Sequence, residues 1–498
     1  MNATIMALSV AGLMTCVGMM IRTKSKALGK MLIPVNVIAG IIGLIYMNTI
    51  NDYILPTVTV NEFSTIVDIL FTFSFISIGL ASIKDKKPKK ELTKEEKKNM
   101  GGASITKGSM GMGILWSLLF GLTGVIGVLI IYVVGPLFGM DAMYGILIPY
   151  AFCQGPGQAA NMGAIFEDLY GLQNAEMVGL TFAVVGFIAA FLIGVPLAKW
   201  GLRKKLQVTK AKITESVERG YYLPEEQREP MGKVTTHSGN IETLTLHVAL
   251  MGVCYILAVI FAEIVTYVPG IGASFGSMLF MWGLLAAAIV KKVLRVLGVE
   301  FLLNKPLQNK ITGWTSDFLV VCAFMAIKVS VVGAWIVPIV IESIVVALVT
   351  FLICVYFVSR LGSDHDYERV LGMYGMCTGT TPSGIALIRI VDPKLQTATA
   401  TELGLTNAFM MFVMPVTIIV TFMGTGALTL NMACALIMVS VVFYLVLLKL
   451  CRTWNKPTVN IFKGVKYDVE EDDSTSSAGA VVQGMLRYEE FDGSGTVK

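Results

Sequence analysis

Apolar residues fill this chain in blocks of about twenty, from Ala3 to Leu448, and short polar stretches rich in lysine and arginine separate them. A helix rising 1.5 Å per residue needs about 20 apolar residues to cross the hydrocarbon of a bilayer. The alternating ten-residue strands of a membrane barrel do not occur. The pattern therefore predicts an all-α polytopic membrane protein.

The separating charges give the threading, because lysine and arginine collect on the cytoplasmic side. Span one, about 4–21, is followed by Arg22, Lys24, Lys26 and Lys30; its basic residues follow the apolar run rather than precede it, so it reads as a retained span with the N-terminus outside. Span two runs from Leu32 to Met47, and span three, about 66–83, returns to the basic loop KDKKPKKELTKEEKK. Span four covers about 108–134. The next segment to reach a basic cluster runs from about Glu176 to Ala198, ahead of Lys199, Arg203, Lys204 and Lys205. If 141–170 crossed completely, that cluster would lie outside. Charge parity makes 141–170 a re-entrant hairpin, with CQGPGQAAN at its tip.

A charged, turn-rich stretch at 203–240 reads as a cytoplasmic linker. Spans then follow at 243–267, 273–290, 314–331, 333–358 and 400–422, with a second Gly/Thr/Pro-broken segment, CTGTTPSG, inside a hairpin at about 369–395. An eleventh span at about 427–448 precedes Lys449, Arg452 and Lys456, which puts the C-terminus inside. The expected organisation is a first repeat at 1–202, the linker at 203–240, a second repeat at 241–423, an extra span at 424–450 and a flexible polar cytoplasmic tail at 451–498.

The halves echo one another in a shared order. Asp68 precedes Phe75 by the interval at which Asp317 precedes Phe324; Cys153 and Cys377 each open a C-x-G; Glu176 and Glu402 each stand at the start of the next span. Since the first half starts outside and the second inside, the two five-span repeats are inverted. Inverted repeats with broken helices at matching positions point to the binding site of a secondary transporter.

Each tip starts a new helix at a proline, which loses no hydrogen bond there. The free N–H groups of Gly157, Gln158, Ser383 and Gly384 would face a cavity with the positive end of a helix dipole behind them, a setting that attracts a carboxylate. Substrate contacts are expected from Gly157, Gln158, Asn161, Thr380, Thr381, Ser383 and Gly384. Unwound carbonyls and hydroxyls at Gln154, Gly155, Thr378, Gly379 and Thr380 are hard oxygen donors suited to sodium. Asp68 and Asp317 are candidate coupling residues, and Glu342 is a third intramembrane carboxyl of similar standing. Arg389 is more simply paired with Asp392, Lys328 snorkels, and His247 is a satisfied polar residue.

Composition narrows the class further. Of 498 residues, 55% are hydrophobic and 15% charged, against about a quarter charged in soluble domains. The net charge of +5 is topological and implies no nucleic-acid partner. The eight cysteines show no CxxC spacing, so neither a zinc site nor a disulfide framework is indicated. No nucleotide-cradling GxxxxGK[ST], HExxH or GxSxG occurs, which argues against an ATP-driven pump and against an enzyme. A channel with re-entrant pore loops, a receptor without translocation, and proton rather than sodium coupling stay open at this level.

The residues resemble the bacterial sodium/glutamate symporter family up to about residue 423. LIPVNVIAGIIGL resembles its second span and FISIGLAS its third. GPGQAA followed by EDLYGLQNAEMVGLTFAVVGFIAAFLIGVPLAKW is similar to the first re-entrant loop and its following helix. DFLVVCAFMAIKV and DYERVLGMYGMCTGTTPSGIALI are similar to the second-half counterparts. The resemblance implies sodium-coupled uptake of glutamate across the cell membrane, opposed re-entrant loops, a homodimer in the bilayer and an elevator-like motion, with sodium as the coupling ion and no enzymatic cofactor. It gives the first loop's role to Gly155, Gly157, Gln158 and Ala159, and the second's to Gly379, Thr380, Thr381, Pro382 and Ser383. The chain departs from the family in QGPGQ and in the extra last span, which leaves a related carboxylate or amino acid open as substrate.

Overall fold

A computed structural model of the chain describes residues 2–81, 102–209, 219–224, 231–269, 272–393 and 395–467. The basic loop after span three, residues 210–218 and 225–230 of the linker and the end of the tail lie outside the described residues.

The protein is a helical membrane protein of many passes. Among the described residues, seven segments are long and apolar enough to cross a bilayer: α1 (Ala3–Lys24), α3 (Val60–Ala81), Lys107–Phe138 within and after α4 (Gly102–Val134), α7 (Ala175–Lys204), α8 (Thr243–Thr266), Val329–Val358 around α11 (Ile336–Ile353), and α16 (Leu430–Leu450). Other expected crossings fall on shorter or less apolar helices: α2 (Val35–Thr49), α9 (Leu279–Val296), α10 (Lys305–Met325), and the broken pair α14 (Thr399–Thr406) and α15 (Met414–Gly424). Between α4 and α7 stand α5 (Ile148–Gln154) and α6 (Pro156–Tyr170); between α11 and α14 stand α12 (Asp366–Thr378) and α13 (Thr381–Val391).

Local chemistry sets several of these boundaries. The Asn2 side chain accepts from the N–H groups of Thr4 and Ile5 to start α1. Asn304 accepts from Leu307 N, and Pro306 occupies the first turn of α10. That cap moves the expected span at 314–331 towards the N-terminus: α10 is over by Ala326, and the apolar run 326–331 that extended the sequence window is a turn and a short helix, Val329–Val332. Asp317 consequently sits well inside its helix, as Asp68 does in α3.

One group of helices is built around the pair α3 and α10. Helix α2 packs on α10 while α9 packs on α3, and α1 and α8 lie outside them on α2 and α9 respectively. In lipid, burial of apolar surface does not discriminate helix from lipid, and association depends on close approach over small residues. Gly40 and Gly43 of α2 receive Phe324 and Met325 of α10; a Cβ on Gly43 would lie 2.5 Å from the Met325 Cγ. Gly79 of α3 and Gly283 of α9 do the same for Ala287 and Ile76.

A second group is assembled on α4 and α7. Helix α4 packs against α11, α14 and α16, and α7 against α5, α6, α11, α12 and α13. The groups meet mainly where α6 packs on α3 and α10.

The tail corrects one expectation. Residues 455–467, read from sequence as flexible, form a two-strand ladder, β1 (Val459–Asn460) with β2 (Val465–Lys466). The segment is tied down by Thr458 N to the Ser359 carbonyl at 2.8 Å, Asn455 N to the Arg360 carbonyl at 2.9 Å, and the Trp200 indole N–H to the Ile461 carbonyl at 3.2 Å. Its polar composition hid this, because the bonds are made by backbone.

Candidate functional site: two helix tips in contact

Helix α5 stops at Gln154 because Gly155 has φ 87° and ψ −177°, a backbone open to glycine and costly for any L side chain. Pro156 then begins α6 in its first turn. The chain has turned back on itself: the Tyr144 hydroxyl before α5 donates to the Gln173 carbonyl after α6 at 2.6 Å. In the other half, α12 stops at Thr378 and Thr380 precedes α13. Helices α12 and α13 are likewise folded together, Gly375 against Gly384 and Gly372 against Ile388.

The two tips touch. A Cβ on Gly155 would stand 2.6 Å from Thr380 Cγ2 and 3.4 Å from the Gly379 carbonyl oxygen. Cys153 Sγ lies 3.9 Å from the Cys377 carbonyl oxygen, and the Trp116 indole N–H of α4 holds the Cys153 carbonyl at 3.0 Å.

Free backbone donors point out of both new helices. In α6 the first engaged N–H is that of Ala159, bonded to the Gly155 carbonyl at 3.1 Å, so Gly157 and Gln158 keep theirs. In α13 the Gly384 N–H is already bonded to the Thr380 carbonyl at 3.1 Å. This corrects the expectation for Gly384: the cap is Thr380, so the free donors are Thr381 and Ser383. Gln158 and Ser383 are buried, and the Oε1 atoms of Gln154 and Gln158 have no hydrogen-bond partner among the described residues.

The expected oxygen donors differ in availability. Thr378 is fully buried and its hydroxyl donates to its own helix at the Tyr374 carbonyl, 2.7 Å away. Thr380 Oγ1 and Ser383 Oγ lie 3.4 Å apart, and Thr381 Oγ1 accepts from Asn407 Nδ2 at 3.3 Å. Asn161 turns its amide N–H to the Ser277 carbonyl at 3.0 Å, leaving its own oxygen without a partner among the described residues.

Residues outside the tips close the site, and sequence reasoning passed over them. Phe71 of α3 covers Gly157 so closely that a Cβ there would meet its ring at 2.1 Å. Phe71, Phe75 and Phe280 form an aromatic cluster with ring centroids 5.0–5.1 Å apart. Along α7, Gly179 meets the Ala159 carbonyl, Gly186 the Thr378 carbonyl, and Gly194 Leu387. Intervals of seven and eight residues put those glycines on one helix face, a signal readable in the sequence.

The two candidate coupling carboxylates separate. Asp317 accepts from Asn36 Nδ2 at 2.9 Å, between α10 and α2. Asp68 sits one turn before Phe71, beside Glu176 at the start of α7, and its Oδ1 has no hydrogen-bond partner among the described residues. Glu402 does more than favour a helix start: it takes Arg369 Nε on Oε2 at 2.7 Å and Nη2 on Oε1. Arg369 also donates to Asp366 at 2.7 Å, and Thr458 Oγ1 of the tail donates to the other Asp366 oxygen at 2.8 Å. His365 stands 2.9 Å from Asp364 and 3.5 Å from Glu402. Burial and Arg369 push the His365 pKa down, and the bonds to Asp364 and Glu402 outweigh them, leaving it above its ordinary value. Arg389 is exposed, and Asp392 takes the Gln396 and Thr397 N–H groups instead. His247 is satisfied on both ring nitrogens, by the Thr243 carbonyl and Asn304 N.

The sequence profile of the sodium/glutamate symporter family matches residues 2–396. The chain belongs to the sodium/glutamate symporter family. Similar proteins are the sodium/glutamate symporters of Escherichia coli (strain K12) and Shigella flexneri, each 23% identical over 286 residues, covering 54% of this chain and 68% of the relative. Membership makes the protein a secondary transporter, a symporter rather than an enzyme. Both broken hairpins fall within the matched residues; α14 to α16 and the strap at 455–467 follow them.

Proposed function

We propose that the chain takes up glutamate into the cell by symport with sodium, and that the paired tips are the site. The observation that carries this is the contact of Gly155 with Gly379 and Thr380, where two helices end and two begin. Free N–H groups at Gly157, Gln158, Thr381 and Ser383 suit the two carboxylates of the substrate, with Asn161, Thr380 and the Gly384 turn completing the pocket. Carbonyls at Gln154, Gly155, Thr378 and Gly379, with the Thr380 hydroxyl, suit sodium. Sodium at the carbonyl ends relieves their negative dipole and orders the tips. That raises affinity for glutamate, and linkage requires glutamate to raise affinity for sodium equally.

In this reading 1–202 and 241–423 are inverted five-span repeats whose hairpins enter from opposite faces, and eleven crossings put the N-terminus outside and the C-terminus in the cytoplasm. The group on α4 and α7 carries the site past the group on α3 and α10, which forms the homodimer. Asp68, at the junction of the groups, is the coupling carboxylate of the two candidates; Asp317 stays within one group. The match of most of the chain to sodium/glutamate symporters supports glutamate as the cargo, and QGPGQ keeps other carboxylates as test substrates.

The experiment is uptake of labelled glutamate into proteoliposomes with and without an inward sodium gradient, in competition with a panel of dicarboxylates and amino acids. Gradient-dependent accumulation is expected. Equal uptake without sodium removes the coupling, and stronger competition by another acid changes the substrate.

A further inference from the structure

Glu342 lies midway along α11, fully buried, and neither of its carboxyl oxygens has a hydrogen-bond partner among the described residues. Its Oε1 stands over Gly127 of α4, 2.3 Å from where a Cβ would be, and the Gly145 carbonyl oxygen comes within 2.4 Å of the same point. Two acceptor oxygens, one from α11 and one from the 3-10 helix Ala142–Leu147 that enters the first hairpin, thus converge on the same point. Pro149, four residues on from Gly145, has no N–H for an α-type bond, so beyond the 3-10 bond from Ile148 N that carbonyl keeps a second lone pair.

The surroundings offer no charged partner among the described residues. Between Gly108 and Val134, α4 carries no titratable side chain except Tyr132. Near the hairpin entry, Tyr144 is committed to Gln173, while the Tyr150 ring packs on Phe120 and its buried hydroxyl has no hydrogen-bond partner among the described residues. The charges of α7 lie at its ends, Glu176 and Lys199 to Lys204, and those of α12 lie at the hairpin root, Asp366 to Arg369. Tyr374 of α12 donates to the Ala189 carbonyl, and Cys354 and Tyr356 follow the end of α11. No charged side chain neighbours the Glu342 carboxyl among the described residues. A hard cation such as calcium gathers six or more oxygens, and here the Ile148 Cγ2 methyl occupies the third side of Gly127.

We propose that the Glu342 carboxyl is a proton-binding site: the protonated group donates its O–H to the Gly145 carbonyl, ties the first hairpin to α4 and α11, and releases the proton when that contact opens. The ligand is a proton, bound reversibly as carboxylate plus proton to carboxylic acid, in addition to the sodium of the tips. Carriage of this proton with glutamate rests on the transport reading above; its presence on Glu342 does not.

Two measurements on the full chain test it. Infrared spectra at neutral pH should show the carbonyl stretch of a protonated carboxyl that disappears in Glu342→Gln, with no substrate needed. An identical band in wild type and E342Q, or none in wild type, overturns the site. In proteoliposomes with a lumenal pH dye, sodium-driven glutamate uptake should acidify the lumen, and the protons moved per glutamate should fall to background in E342Q. Glutamate uptake by wild type without acidification overturns proton carriage, even if E342Q does not fold. Absence of glutamate uptake with the infrared band intact instead strikes the substrate reading alone.

Discussion

The two hairpins are alike at their tips and unlike at their roots. Each tip is a helix end, a break and a proline-led helix start, and the two meet at Gly155 and Thr380. At the root of the first, Tyr144 bonds the Gln173 carbonyl and the Tyr170 hydroxyl pairs with Ser274 Oγ at 2.8 Å, among Asp141, Glu167 and Asp168 with no base beside them in the chain. The root of the second is a buried ionic cluster of Arg369, Asp366, Glu402 and His365, capped by Thr458 from the strap. Further along, Val208 N donates to Glu368 at 2.7 Å. A buried charge network is costly to form and more costly to leave half-made, so it fixes geometry. The difference teaches that the second hairpin is anchored at its base while the first is held mainly by packing at α4, α7 and its tip.

The largest effect expected from that contrast is at Arg369. Replacing it by methionine leaves Asp366 and Glu402 buried without their cation, at a cost of about 3–5 kcal/mol. Thermal melting in detergent should fall sharply, whereas Tyr144→Phe at the other root should lose only one neutral bond, about 1 kcal/mol. Similar losses for the two variants would erase the contrast. Smaller, and at the shared tips, Gly155→Ala forces a side chain into φ 87° and against Thr380. Strain of about 1–3 kcal/mol should lower the melting temperature less than loss of Arg369 does, and reduce sodium-driven uptake by on the order of tenfold. Wild-type uptake by G155A would mean that the tip contact is incidental.

The smallest effect is a pH dependence. The His365 pKa is raised in the folded protein, so its protonated form contributes stability fully below the ordinary value of 6.5, and this is lost as pH rises through the folded value. Melting temperatures of wild type should therefore decline from mildly acid to alkaline pH more than those of His365→Gln. Parallel profiles would assign the decline elsewhere.

How much of this could be read beforehand follows from how each feature is encoded. The broken segments CQGPGQAAN and CTGTTPSG were legible because proline and glycine act locally and the basic clusters fix parity. The start of α10 was misplaced because Asn304 and Pro306 set it, while the hydropathy window followed the apolar run beyond Ala326. The ionic cluster was hidden because Asp366, Arg369, Glu402 and Thr458 are brought together only by packing, and the strap because its ties are backbone carbonyls. The free donors at the second tip lie at Thr381 and Ser383 rather than Ser383 and Gly384, because two adjacent threonines before Pro382 can each cap a helix. The glycine face of α7 is encoded locally, in the seven- and eight-residue spacing of Gly179, Gly186 and Gly194.

Trp116 offers an optical consequence. Its side chain is almost wholly buried, and its indole N–H holds the carbonyl of Cys153, two residues before the break. Indole emission responds to the polarity and hydrogen bonding around the ring. A variant keeping Trp116 and replacing the other five tryptophans with phenylalanine would carry a native fluorophore wired to the last turn before the first tip, able to time its rearrangement without an attached dye.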